Sequence, residues 1–272
     1  MTAVNSHFRN KNMQKKPIRL GIVSALREEQ TGLLAQMRDM KTVTRGMRDY
    51  LHGNLWGVDC VCVLSRLGKV ASATTVATLI ERFDVSAVVF TGVAGSADPD
   101  VKVGDVVIAE SLVQHDMDTR PLFPRFEIPL TGQSRFASDV GLSEKLHRAA
   151  SLFLENDLKS AISLTQQQIF GLHRPRVHRG LIASGDEFIG STARLRELRE
   201  DFPDLLAVEM EGAAVAQVCF EFGIPFSVIR TISDGADETS AIDFLAFIRE
   251  VAAVYAFHTT RRLCSILVED GC

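Results

Sequence analysis

Seven short apolar runs, rich in β-branched residues and each ending in small or polar ones, punctuate this chain. They are Ile18–Ser24, Val58–Ser65, Val85–Gly92, Asp105–Ser111, Gly180–Gly185, Leu205–Glu211 and Pro225–Ser233. Both alternating faces of these runs are apolar, as in the strands of a buried, largely parallel sheet covered by helices on two sides. Segments of helical period fall between them: Ala25–Met37, Lys69–Phe83, Ser143–Asn156, Ala193–Glu200, Glu211–Phe222 and a long last helix over about Ile242–Leu267. Such alternation predicts a single α/β domain, and 272 residues suffice for its core. No repeat or low-complexity stretch divides it. Residues 1–17 carry four basic side chains and no apolar run, so they read as a disordered tail ahead of a domain spanning 18–272. The longest irregular stretch is Gln114–Ser138, and an uncovered loop of that length is expected to be functional or interfacial.

Charge removes several classes of function. The net charge is −4, and the basic spots Arg174–Arg179 and Arg261–Arg262 are short, so they read as solvated surface; no nucleic-acid partner is expected. No apolar run approaches the roughly 18–20 residues that span a bilayer, so no membrane association is expected either. The five cysteines include no C-x-x-C pair and no histidine at zinc spacing, which predicts no metal site and fits the reducing cytoplasm.

In open α/β sheets, ligands bind beyond the carboxyl ends of the strands. The first strand delivers Glu28 and Glu29 at its exit, and the third delivers Thr91-Gly92-Val93-Ala94-Gly95-Ser96. Ser184-Gly185-Asp186-Glu187-Phe188-Ile189 follows the fifth, Glu209-Met210-Glu211 closes the sixth, and Arg230-Thr231-Ile232-Ser233-Asp234-Gly235 ends the seventh. Acids in a first helical turn favour the helix dipole without any function, and Asp234 before Gly235 also suits a plain turn. Glu209 and Glu211 are harder to explain that way. They lie in the apolar run LLAVEMEGAAVA, where carboxylates are rare unless paired or used.

The blocks GIVSALREEQ, TGVAGSADPDVKVGDVV, GLIASGDEFI and AVEMEGAAVAQVCFEFGIPFSVIRTISDGAD resemble, in order, the signature blocks of methylthioadenosine/S-adenosylhomocysteine nucleosidases, members of the nucleoside phosphorylase superfamily. The similarity runs from about Ile18 to Asp237. It implies a three-layer α/β/α domain with a twisted, barrel-like mixed sheet, assembled as a homodimer, that hydrolyses the N-glycosidic bond of 5′-substituted adenine nucleosides without any cofactor. By position, Asp234 would be the acid at purine N7, with Ser233 orienting it. Glu29 would be the base that activates water, and Arg230 would help position that water. Glu211 would hold the ribose hydroxyls, Met210 would pack on the sugar, Phe188 would stack on the purine and the Ile189 backbone would pair with its edge. Val93, Ala94 and Gly95 would line the same site. Two carboxylates and positioning suffice for such chemistry, as in glycoside hydrolysis.

The chain departs from that pattern in places. Val93 stands where many relatives carry serine, His115–Leu130 differs from the best-known members, and about Ser138–Arg179 is longer. Arg120 and Arg125 would suit either a charged 5′-group or contacts between subunits. Other readings are a nucleosidase for futalosine or another purine nucleoside, a phosphorylase, and a silent nucleoside-binding relative. Phosphorolysis needs a cradle of arginines and glycines for the anion, and Glu28-Glu29 at the first exit would repel it. A silent relative has no reason to keep acids whose burial costs stability.

Overall fold

The computed structural model describes residues 18–236 and 244–271, so the expected tail and Ile242 lie outside the described residues. In chain order the elements are β1 (Arg19–Ser24), α1 (Glu28–Leu34), β2 (Arg38–Arg45), β3 (Arg48–Leu55), β4 (Val58–Leu64), α2 (Lys69–Phe83), β5 (Ala87–Ser96), β6 (Val106–Gln114) and β7 (Phe136–Ala137). There follow α3 (Val140–Asn156), α4 (Leu158–Ala161), α5 (Leu164–Ile169), β8 (Val177–Ser184), α6 (Thr192–Asp201), β9 (Leu205–Glu209), α7 (Gly212–Phe222) and β10 (Phe226–Asp234). The last stretch comprises α8 (Phe244–Phe247), a π-helical turn over Ile248–Ala252, and α9 (Ala253–Glu269). It was expected as one helix. No helix among the described residues is long and apolar enough to cross a membrane.

The strands form one mixed sheet in the order β10-β6-β8-β9-β5-β1-β4-β3-β2, and an additional β10–β5 pairing closes part of it into a barrel. Period-two alternation explains the layering. Leu20, Ile22, Cys60, Cys62, Ala87 and Val89 face a core shared with α3 and α9, while Val23, Val61, Val63, Val88 and Phe90 face a core shared with α2 and α7. A three-layer α/β/α domain results.

The expectation of largely parallel strands releasing their ends along one edge needs correction. β4, β1, β5 and β10 run one way, and β6, β8 and β9 run the other. The two groups still meet at their carboxyl ends, because β5 changes partner along its length. Its first half pairs with β1, and then Gly95 and Ser96 pair antiparallel with Val208 and Ala207 of β9. Tip-to-tip overlap of β5 and β9 thus gathers residues that opposed strands would otherwise separate.

Two other differences have physical causes. The first helix is shorter than Ala25–Met37, and residues 38–55 form an unanticipated hairpin through Gly46 and Met47, both at positive φ. β2 is an edge strand with almost every side chain exposed, so its charged sequence shows no apolar alternation. Most of Gln114–Ser138 is irregular, as expected. Within it, Arg120 pairs with Asp118 at 2.5 Å and Arg125 with Asp201 at 2.8 Å. Both guanidiniums are therefore already engaged by carboxylates of their own chain.

Candidate active site

One cleft lies over the β5–β9 junction. It is lined by Glu29, Val93, Ala94, Gly95, Phe188, Ile189, Met210, Glu211, Arg230, Ser233 and Asp234, the residues singled out from sequence. Leu26, Leu67, Glu187, Val208, Glu209 and Phe244 join them.

Glu29 is 2% exposed, in the first turn of α1. Its Oε2 accepts N–H bonds from Ala25 (3.1 Å) and Leu26 (3.0 Å), while Oε1 has no hydrogen-bond partner. Burial pushes its carboxyl up to about 7, although the two backbone donors and the Arg230 charge oppose the shift. Glu211 is also buried, and its Oε1 accepts the Gly68 N–H at 2.8 Å. Its carboxyl too is pushed up to about 7, first by burial and then by the neighbouring charge of Glu209. Each acid thus has one oxygen held by backbone and a second one left for a ligand.

Asp234, at the end of β10, is held by Ala236 N–H on Oδ1 (2.8 Å) and by Ser233 Oγ on Oδ2 (2.6 Å). The Ser233 hydroxyl also lies 3.3 Å from the Ala94 carbonyl, so its single proton serves one acceptor at a time and the shorter contact is with Asp234. β5 has glycines here because the acids crowd it. A Cβ on Gly95 would stand 3.0 Å from Asp234 Oδ1 and 2.8 Å from Ala236 Cβ, and one on Gly92 would stand 3.4 Å from Glu29 Oε1.

Arg230 is the largest fully buried side chain among the described residues. Its guanidinium donates to Glu209 Oε2 through Nε (3.2 Å) and Nη2 (2.6 Å), and through Nη1 to the Phe90 and Ile229 carbonyls, while lying 4.1 Å from the Phe90 ring centroid. Four of its five N–H groups are therefore engaged within the chain, leaving little to hold a water or an anion. Glu209 also accepts the Ser184 hydroxyl and the backbone N–H groups of Glu211 and Gly212, capping α7. It is the acid that the strand pattern flagged without a role, and it serves here as the partner of Arg230. The pair has its charges matched and hydrogen-bonded, as burial demands.

Phe188 is half exposed at the mouth, its ring edge-on to Phe244 with centroids 6.5 Å apart, and Ile189 is buried beneath. Phe244 and Leu67 escaped the sequence reading, which looked only at strand exits. Phe244 opens α8 and Leu67 precedes α2.

Comparison with known proteins bears on this geometry. The phosphorylase superfamily model matches residues 19–263. The 5′-methylthioadenosine/S-adenosylhomocysteine nucleosidase of Marinomonas sp. is 36% identical over 234 residues, covering 86% of this chain and 93% of the relative. The solved nucleosidase of Neisseria meningitidis in complex with methylthio-immucillin-A superposes with a TM-score of 0.79 at 34% identity, covering 90% and 97% of the two chains. Futalosine hydrolase of Helicobacter pylori superposes with a TM-score of 0.76 at 32% identity, covering 93% and 98%. Similarity at this level over nearly the whole described domain settles its kinship: the chain belongs to the 5′-methylthioadenosine/S-adenosylhomocysteine nucleosidase family of the phosphorylase superfamily.

Proposed function

We propose that this enzyme hydrolyses the N-glycosidic bond of 5′-substituted adenine nucleosides, 5′-methylthioadenosine and S-adenosylhomocysteine among them, and releases adenine. One observation carries the choice of water over phosphate as nucleophile. Among the described residues, five carboxylates line the cleft (Glu29, Glu187, Glu209, Glu211 and Asp234), and the one guanidinium there, that of Arg230, is already bound to Glu209. An anionic nucleophile finds repulsion and no free cradle.

Cleavage of the N9–C1′ bond leaves positive character on the ribosyl carbon and negative charge on the purine. Asp234 supplies a proton at N7, steered by Ser233. Glu29 accepts a proton from water at Oε1, its other oxygen being fixed by Ala25 and Leu26. Glu211, whose Oε1 is held by Gly68, accepts hydrogen bonds from the 2′- and 3′-hydroxyls. Met210 packs on the sugar, Phe188 stacks on the purine, and Arg230 acts by holding Glu209 and by its charge. Arg120 and Arg125 are paired with Asp118 and Asp201 and do not line the cleft, so the choice of 5′-group does not rest on them.

Pure protein mixed with methylthioadenosine is expected to release adenine equally fast in phosphate-free and phosphate-containing buffer, with a free reducing sugar as the second product. Obligatory phosphate, or a sugar 1-phosphate product, overturns the hydrolytic reading; faster turnover of futalosine would redirect the choice of substrate. The same reading makes the chain a homodimer, for which Leu67, Val70 and Leu122 offer exposed apolar side chains. Light scattering is expected to return twice the chain mass. The four described cysteines are unpaired and buried, which supports the cytoplasm as its compartment.

A further inference from the structure

Two carboxylates from distant parts of the chain meet the start of α2. The first turn of this helix contains no acid, and its cap residue, Gly68, has no side chain to satisfy the free N–H groups. Instead, Gly68 N–H donates to Glu211 Oε1 and Lys69 N–H donates to Asp186 Oδ1, both at 2.8 Å. Gly68 has φ of 93°, and a Cβ there would stand 3.0 Å from Asp186 Oδ1.

Lys69 then closes a ring. Its Nζ donates to Asp116 Oδ1 at 2.6 Å and to Gln114 Oε1 at 3.1 Å, while Asp116 Oδ2 accepts the Asp186 N–H at 2.9 Å. Three segments are joined this way: the start of α2, the chain leaving β6 and the chain leaving β8. Burial works against the charge on Asp116, but the hydrogen bonds from Lys69 and Asp186 outweigh it and hold its carboxyl below the usual range. None of the three residues lines the cleft. Their neighbours do: Asp186 lies two residues before Phe188, and Lys69 follows the glycine whose N–H fixes Glu211.

We propose that Lys69, Asp116 and Asp186 are positioning residues, a latch that sets the spacing between the purine subsite at Phe188–Ile189 and the ribose carboxylate of Glu211; this role rests on the nucleosidase reading above. A nucleoside spans both sides of the latch. Free adenine uses the purine side alone. Loosening the latch therefore weakens the nucleoside more than the base, whereas simple damage to the fold weakens both together.

The test is steady-state kinetics of wild type, Asp116→Ala, Asp116→Asn and Lys69→Met on methylthioadenosine, with inhibition by adenine and thermal unfolding measured alongside. Asp116→Ala is expected to raise KM about tenfold and the adenine inhibition constant by less than about threefold, with Asp116→Asn in between because an amide oxygen replaces only one of the two acceptors. Lys69→Met, which keeps the main-chain bond to Asp186, is also expected in between. Equal rises in the two constants, or no rise in either, overturn the latch. If Asp116→Ala fails to fold, Asp116→Asn and Lys69→Met decide by the same comparison. A wild-type protein that releases no adenine overturns the functional reading instead, and the latch with it.

Discussion

Asp234→Asn is expected to lower kcat for adenine release by about 10³-fold while leaving the melting temperature within a few degrees of wild type. Asparagine keeps an oxygen for the Ala236 N–H, and its amide can donate to Ser233 Oγ if that hydroxyl turns toward the Ala94 carbonyl, 3.3 Å away. The local scaffold therefore survives. The proton for N7 does not, because an amide cannot give one up. KM is expected to change little, since the amide fills the same volume and can still hydrogen-bond the purine. Kinetics on methylthioadenosine with circular dichroism melts check this, and turnover within about threefold of wild type would remove Asp234 from the reaction.

How much of this was legible beforehand differs by residue. Glu211 stood out because it lies in an apolar run, whereas Glu29 and Asp234 suited a helix start and a plain turn and took their roles from the family resemblance; the fold brings all three to one cleft. Their convergence was anticipated for the wrong geometric reason. Exits along a single parallel edge would not have joined β9 to β5, whereas the antiparallel pairing of Gly95 with Val208 does, and strand orientation is not written in local periodicity. The glycines of TGVAG are strand residues: the missing side chain of Gly95 makes room for Asp234 and Ala236, and that of Gly92 for Arg230 and Glu29. Arg230 looked like a group for the water, yet its partner Glu209 lies 21 residues upstream, and only the folded sheet shows that the two neutralise each other. Asp186 showed only as one member of the fifth strand's exit, and Lys69 and Asp116 were assigned no role, since a ring closed by two main-chain N–H groups leaves no motif.

Glu29→Gln separates catalysis from stability through the sign of one titration. Burial raises the Glu29 carboxyl from 4.5 to about 7, so the fold favours its neutral form. That favourable contribution is complete below 4.5 and is lost as pH rises through 7, where the buried group becomes charged. Glutamine mimics the neutral state and still offers an oxygen to the Ala25 and Leu26 N–H groups. The variant is therefore expected to melt close to wild type at pH 5 and above it at pH 8. Activity runs the opposite way. Water activation needs the charged carboxylate, so wild-type kcat/KM is expected to climb with pH through an apparent value near 7, to which Glu29 and Glu211 both contribute, each raised chiefly by burial and Glu211 also by the charge of Glu29. Glu29→Gln is expected to cut kcat about 10²- to 10³-fold. The remaining acid limb is expected at lower pH, since Glu211 loses a repulsive neighbour. A variant that keeps full activity, or one whose stability advantage shrinks as pH rises, would show that the oxygen facing the cleft does not carry the proton.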